Sequence, residues 1–157
     1  MSETPQWVVF RLEQTRYALA LAAVERIVRA VAITPLPKAP PIVLGVIDVE
    51  GQILPVLNLR RRFRLPEREM GPSDQFIIAR TVPRTVTLCI DAAEGVIERP
   101  THTIVQPDSI VPGLDHLQGV IQLEDGLVLI HDLEQFLALD EARALDKALK
   151  RETARGG

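Results

Sequence analysis

The chain has 157 residues, a length typical of one domain and too short for two independent ones. Apolar residues make up 46% of it and aromatic residues only 4%, so we expect Val, Ile, Leu and Ala to form the core and to favour strands. The formal net charge of −3 does not by itself indicate a nucleic-acid or membrane partner. A single cysteine excludes an internal disulfide and a cysteine-rich zinc site.

The first segments are predicted to be strands. Trp7 to Leu12 is apolar with polar flanks, and Tyr17 to Ala22 alternates large residues with alanines, a period of two. From Val24 the apolar residues fall at helical intervals, which predicts a short helical or irregular turn. Thr34 to Pro41 contains four prolines, so it is predicted to be a stiff connecting loop or a proline-rich ligand for another domain.

An apolar hairpin is predicted from Gly45 to Leu59. It turns at Glu50-Gly51, because glycine tolerates a positive φ. Apolar residues lie on both faces of its second run, Ile53 to Leu59, so we expect that strand to be covered on both sides. The next segment, Arg60 to Gly71, is charged and predicted to be exposed.

Three further strands are predicted in the middle of the chain, at Gln75 to Val82, Thr85 to Ile90 and Gly95 to Glu98. Pro100 to Pro112 is typical of a loop, with a short strand at Thr103 to Val105.

A second apolar hairpin is predicted from Gly119 to Leu133, turning at Asp125-Gly126. Residues 119–133 align without gaps on 45–59 and share Gly, Val, Ile, Glu and the final Leu with them. The similarity reflects either chance or two related β units, each too small to bury its apolar faces alone. Asp140 to Glu152 is predicted to be a helix that packs on the strands.

Catalytic and metal-binding motifs are not found in the sequence. His102, His116 and His131 stand apart, without the spacing of metal ligands. Cys89 and His131 lie in apolar runs, where a core thiol and a structural histidine are expected. We therefore expect no enzymatic activity, no cofactor and no metal.

The run from Arg60 to Arg64 is the densest group of like charges, and Phe63 lies within it. It is interpreted as a solvated face, with a basic site for phosphates and bases as the alternative. That alternative describes a small β-barrel protein that binds nucleic acid.

The order of segments resembles the CheW family of bacterial chemosensory adaptors over about residues 7 to 138. The resemblance is most specific in the first half and rests on the following segments: Phe10-Arg11-Leu12, Tyr17-Ala18-Leu19, Val24 with Ile27, Thr34-Pro35-Leu36-Pro37, Ala39-Pro40, Gly45-Val46-Ile47, Gly51 and Pro55-Val56-Leu57-Asn58-Leu59. The second half agrees less specifically, at Val96 and in the runs Leu117 to Leu123 and Leu127 to Leu133.

The resemblance implies a mainly β fold of two small five-stranded β-barrels packed on each other, with short helices. The CheW-like domain would span residues 7–138, and a C-terminal helix and tail would span 139–157. It also implies a cytoplasmic, non-enzymatic adaptor that links chemoreceptors to a CheA-type histidine kinase. Its expected partners are the regulatory domain of the kinase and the cytoplasmic tip of the receptor, with neither nucleic acid nor direct membrane insertion.

Contact with receptor or kinase is expected, by the same resemblance, at Val24, Arg26, Gly45, Glu50 and Ile53. The family usually carries Glu before the position of Ile27 and Arg before that of Gly51, whereas this chain has Arg26 and Glu50. Because both charges are reversed, we predict that Arg26 and Glu50 lie close together as an ion pair with its ends exchanged. The reversal points to a specialised or non-flagellar array with its own receptors.

Overall fold

The computed structural model describes residues 4–106 and 117–155, the last four by their backbone alone. These residues form ten strands and two α-helices. Their bounds are β1 Gln6–Leu12, β2 Thr15–Ala20, β3 Val24–Arg29, β4 Val43–Val49, β5 Gln52–Leu57, α1 Leu59–Arg62, β6 Gln75–Arg80, β7 Thr85–Ile90, β8 Ala92–Glu98, β9 Leu117–Leu123, β10 Gly126–His131 and α2 Leu139–Arg155. Neither α-helix in this part of the chain is long and apolar enough to cross a membrane.

The strands form two five-stranded sheets, which confirms the predicted mainly β fold. The first sheet has the order β8-β1-β2-β10-β9 and the second the order β3-β6-β7-β5-β4. Both are open ladders rather than closed barrels. Within the described ranges, one isolated bridge lies at an edge strand of each sheet: Thr34, in the segment after β3, bridges Val46 of β4, and Val105, in the segment after β8, bridges Val120 of β9.

The two sheets have the same arrangement of strands, and each combines strands from both halves of the chain. In each, a central hairpin (β1–β2 or β6–β7) pairs in parallel with the second strand of another hairpin (β10 or β5). The chain thus consists of two equivalent runs, β1–β5 and β6–β10. Each sheet takes two strands from one run and three from the other. This arrangement supports the interpretation of the similar hairpins as related units.

Two glycines mark the equivalent bridges. A Cβ on Gly45 would lie 2.3 Å from the backbone oxygen of Thr34, and one on Gly119 would lie 2.5 Å from Cγ2 of Ile104. Any side chain at either position would therefore push the bridging segment away.

Apolar residues on the facing sides of the sheets form one shared core. The first sheet contributes Phe10 and Leu19, and the second contributes Ile77 and Leu88. Separate clusters fill the opposite faces, around Val9 and Ile121 in the first sheet and around Val56 and Phe76 in the second. The predicted cover of β5 on both sides is confirmed from Leu54 onward, whereas Ile53 is exposed.

The main error in the predicted elements is the helical or irregular turn that was predicted from Val24 onward. A 3₁₀ turn occupies Leu21–Ala23, and Val24–Arg29 is a strand. Val24 pairs with Ala79 and Arg26 with Ile78, so Glu25 is an extra residue, a β-bulge. A bulge places residues three apart on one face of a strand, and this spacing resembles that of a helix.

Other boundaries differ from the predictions by small amounts. The second hairpin turns at Glu124 and Asp125, one residue earlier than predicted, because Leu123 pairs with Gly126. The predicted strand at Thr103–Val105 is instead a 3₁₀ turn followed by the single bridge at Val105. Residues 107–112 of the predicted loop, and His116 after it, lie outside the described residues.

Candidate docking surface

The five residues expected to contact a partner, Val24, Arg26, Gly45, Glu50 and Ile53, are defined as the corner surface. They come from β3, β4, β5 and the corner between β4 and β5. Arg26 and Glu50 form a two-pronged contact, with Nη1 to Oε1 at 3.4 Å and Nη2 to Oε2 at 3.5 Å. The predicted proximity of these two residues is confirmed.

The corner between β4 and β5 holds Glu50 in place. Glu50 and Gly51 both have positive φ, 51° and 86°, as a two-residue hairpin turn requires. The backbone N–H of Gly51 donates to Oδ1 of Asp48 over 2.8 Å, which caps the turn. The Glu50 carboxylate is therefore presented on a short, defined turn.

The corner surface contains both exposed and structural members. The Arg26 and Glu50 side chains are 45% and 76% exposed, and Ile53 is 53% exposed. Val24 packs against the shared core, and Gly45 is buried at the bridge to Thr34. The exposed chemistry is therefore one ion pair and one large apolar side chain, which lies on the strand that follows the corner. Ile27, which was not among the residues expected to contact a partner, follows Arg26 in β3 and is 36% exposed.

The basic run is a solvated face only in part: Arg61 and Arg64 are exposed, as predicted, whereas Arg60 and Arg62 contact internal partners, which the prediction did not foresee. Arg60 is buried and donates to Glu13, to Asp91 over 2.6 Å and to the backbone oxygen of Pro66. Arg62 forms an ion pair with Glu141 of α2. Since these cations already have internal anionic partners, the structure argues against the alternative of a nucleic-acid site.

Phe63 of the same run packs inward. Its ring centroid lies 4.2 Å from that of His131 and 4.5 Å from that of Tyr17. His131 is buried in this aromatic group, in agreement with a structural role. The ring is therefore not presented for stacking on a base.

A cavity of about 330 Å³ lies beside the basic run, lined among others by Arg68, Asp74 and Cys89. Arg68 donates to both oxygens of Asp74 over 2.9 Å, and this contact lowers the pKa of Asp74. Burial raises the pKa of Cys89 to about 11, so its thiol stays protonated at neutral pH. The groups around this cavity stabilise one another and provide no activated nucleophile.

The chain matches the model of the CheW-like domain over residues 6–141. It is 25% identical over 146 residues to the chemotaxis protein CheW of Treponema pallidum, covering 89% of this chain and 86% of that protein. It is 28% identical over 139 residues to protein FrzA of Myxococcus xanthus, covering 88% and 87%.

The fold is similar to the crystal structure of the scaffolding protein TtCheW from Thermoanaerobacter tengcongensis. The TM-score is 0.80 and the identity 26%, with 88% of this chain and 96% of that chain covered. The chain belongs to the CheW-like domain family, whose members are non-enzymatic scaffold adaptors of chemotaxis signalling.

Proposed function

We propose that this protein is a cytoplasmic adaptor that couples chemoreceptors to a CheA-type histidine kinase, and that the corner surface carries the receptor contact. The observation that carries the proposal is the exposed Arg26–Glu50 pair at the corner, followed in β5 by the exposed Ile53. A surface that combines an exposed apolar side chain with charges is suited to a protein interface, where the apolar contact supplies affinity and the charges select the partner.

The reversed charges of Arg26 and Glu50 support the proposal that this adaptor has its own set of receptors. A receptor matched to the usual family order would meet a like charge at both positions and be repelled. We therefore propose a specialised or non-flagellar array in which the receptor tip carries the complementary order. The regulatory domain of the kinase is the second partner.

The test is a calorimetric titration of the purified chain against the kinase regulatory domain and a receptor-tip fragment from its own organism. We expect binding to both, and receptor-dependent control of the kinase when all three are mixed. Absence of heat with either partner, together with unchanged kinase activity, would refute the proposed function.

A matched pair of variants locates the receptor contact. Leu127 occupies in the second hairpin the place of Ile53 in the first, and both side chains are 53% exposed. Ile53→Ser is expected to weaken receptor binding roughly tenfold, as loss of an apolar interface contact does. Leu127→Ser removes the same kind of side chain and should leave receptor binding unchanged. Equal effects of the two changes would remove the corner surface from the proposal.

A further inference from the structure

Two ion pairs of the same kind, each between an arginine and a glutamate, lie at equivalent places in the two sheets. Arg80 of β6 contacts Glu25 of β3, with Nη2 3.0 Å from Oε1. Arg11 of β1 contacts Glu94 of β8, with Nη1 3.1 Å from Oε2. Each arginine lies on the first hairpin of a run, and each glutamate lies on the outer strand that pairs with that hairpin.

Both glutamates are the inserted residue of a β-bulge. In β3, Val24 pairs with Ala79 and Arg26 with Ile78, which leaves Glu25 without a partner residue in the ladder. In β8, Ala93 pairs with Phe10 and Gly95 with Val9, which leaves Glu94 in the same position. Each sheet therefore contains the same combination of a bulged glutamate and its ion pair with an arginine, and this combination is called a device below.

The bulge in β3 decides where Arg26 points. Successive residues of a regular strand alternate between faces, so residues 24 and 26 would normally share a face. Here Val24 packs against the shared core, whereas Arg26 contacts Glu50 at the corner. Their opposite residues, Ala79 and Ile78, also belong to different apolar clusters. If Glu25 were paired with Ile78 in a regular ladder instead of forming a bulge, Arg26 would share the face of Val24 and be directed toward the shared core.

We propose that Glu25 and Arg80 are positioning residues for the corner surface. Their ion pair holds the inserted residue outward and keeps Arg26 aligned with Glu50. The Glu25 and Arg80 side chains are 35% and 72% exposed, so the pair is a surface contact that acts on local geometry rather than on global stability. The inference rests on the proposed function, because the geometry that it maintains is that of the proposed receptor contact.

The device in the first sheet, formed by Glu94 and Arg11, provides a matched control. At the position equivalent to Arg26 the first sheet has Gly95, which cannot form the ion pair with a corner glutamate. Glu94→Gln therefore breaks the same kind of contact, at the same kind of bulge, without a charged side chain to misplace. Its effect measures the structural role alone.

Glu25→Gln and Arg80→Gln are each expected to weaken binding of the receptor-tip fragment about two- to fivefold, the range of a lost surface ion pair. The double variant should be no weaker than either single variant, and Arg80→Lys should retain most of the binding. Glu94→Gln and Arg11→Gln should leave it unchanged. Equal losses from the two devices, or none from Glu25→Gln, would overturn the inference.

A second measurement needs no partner. Amide hydrogen exchange of residues 24–28, resolved by NMR, should become faster in Glu25→Gln than in the wild type, and residues 76–79 should change less. If the wild type does not bind the receptor fragment, the proposed function fails, and the exchange data still decide whether Glu25 orders the bulge. Unchanged exchange at residues 24–28 would overturn the positioning role.

Discussion

Arg26 of β3 and Glu50 of the turn between β4 and β5 meet at one corner, with their charged groups 3.4 and 3.5 Å apart. Both side chains are largely exposed, so the pair itself contributes only ~0.2–1 kcal/mol to stability. We propose that its effect on partner choice is greater, because a partner with a like charge is repelled while one with an opposite charge is attracted. At the scale of the residue, the proposed role of the pair is specificity.

Charge reversal at this pair separates a joint role from two independent ones. Arg26→Glu or Glu50→Arg alone places like charges side by side, and each is expected to weaken receptor binding more than the double exchange does. A double-mutant cycle on the dissociation constant measures the coupling, and the free energy of unfolding should change by no more than about 1 kcal/mol in any variant. Strict additivity of the two single changes would show that the residues act separately.

At the scale of the element, the segment between β5 and β6 is held by arginines that reach other parts of the chain. Arg60 joins α1 to Glu13, at the turn of the β1–β2 hairpin, and to Asp91, between β7 and β8. Arg68 donates to Asp91 and, with both terminal nitrogens, to Asp74. The Asp74 carboxylate also accepts from the backbone N–H of Gly71 over 2.8 Å. These contacts fix an irregular segment that lacks its own ladder.

The Asp74 contact makes part of the stability depend on pH. The hydrogen bonds from Arg68 lower the pKa of Asp74 in the folded protein, so the ionised form stabilises the fold above the ordinary pKa of Asp, about 4. This contribution is lost as the pH falls through the lowered value. Arg68→Gln should therefore lower the free energy of unfolding in urea at neutral pH and have a smaller effect in strong acid.

The matched control for this prediction is Arg61→Gln in the same segment. Arg61 and Glu67 form a pair in which both side chains are about half exposed. Its loss should change stability little at any pH. An effect of Arg68→Gln that stays constant from neutral pH to strong acid would contradict the assigned role of Asp74.

At the scale of the whole molecule, the two sheets share their largest core and exchange strands. Neither sheet can be completed from one contiguous run of the chain. The helix α2 adds Leu145 and Ala148 to that core, and its Glu141 and Asp146 form ion pairs with Arg62 and Arg84. The two sheets and α2 therefore depend on one another to bury the apolar residues of the shared core.

This dependence predicts a single cooperative transition in calorimetry. Leu145→Ala should lower stability by about 2–5 kcal/mol through loss of a buried side chain, while the transition stays single. Leu139→Ala, in the same helix but 68% exposed, should change stability by less than about 0.5 kcal/mol. Two well-separated transitions in the wild type, or a Leu145→Ala protein as stable as Leu139→Ala, would contradict the shared core.

Local patterns in the sequence determined most strands, both hairpins and the C-terminal helix, because alternation of apolar residues and turn glycines act over a few residues. The proximity of Arg26 to Glu50 was predicted from the resemblance to the CheW family, whose usual charges at these two positions are reversed here. Only the tertiary structure decided the partners of Arg60, because Glu13 and Asp91 lie 47 and 31 residues away along the chain. The sequence also did not predict the exchange of strands between the sheets, since strands that pair in a sheet need not follow one another along the chain. The bulge at Glu25 misled the sequence prediction because one inserted residue changes a period of two into a spacing of three.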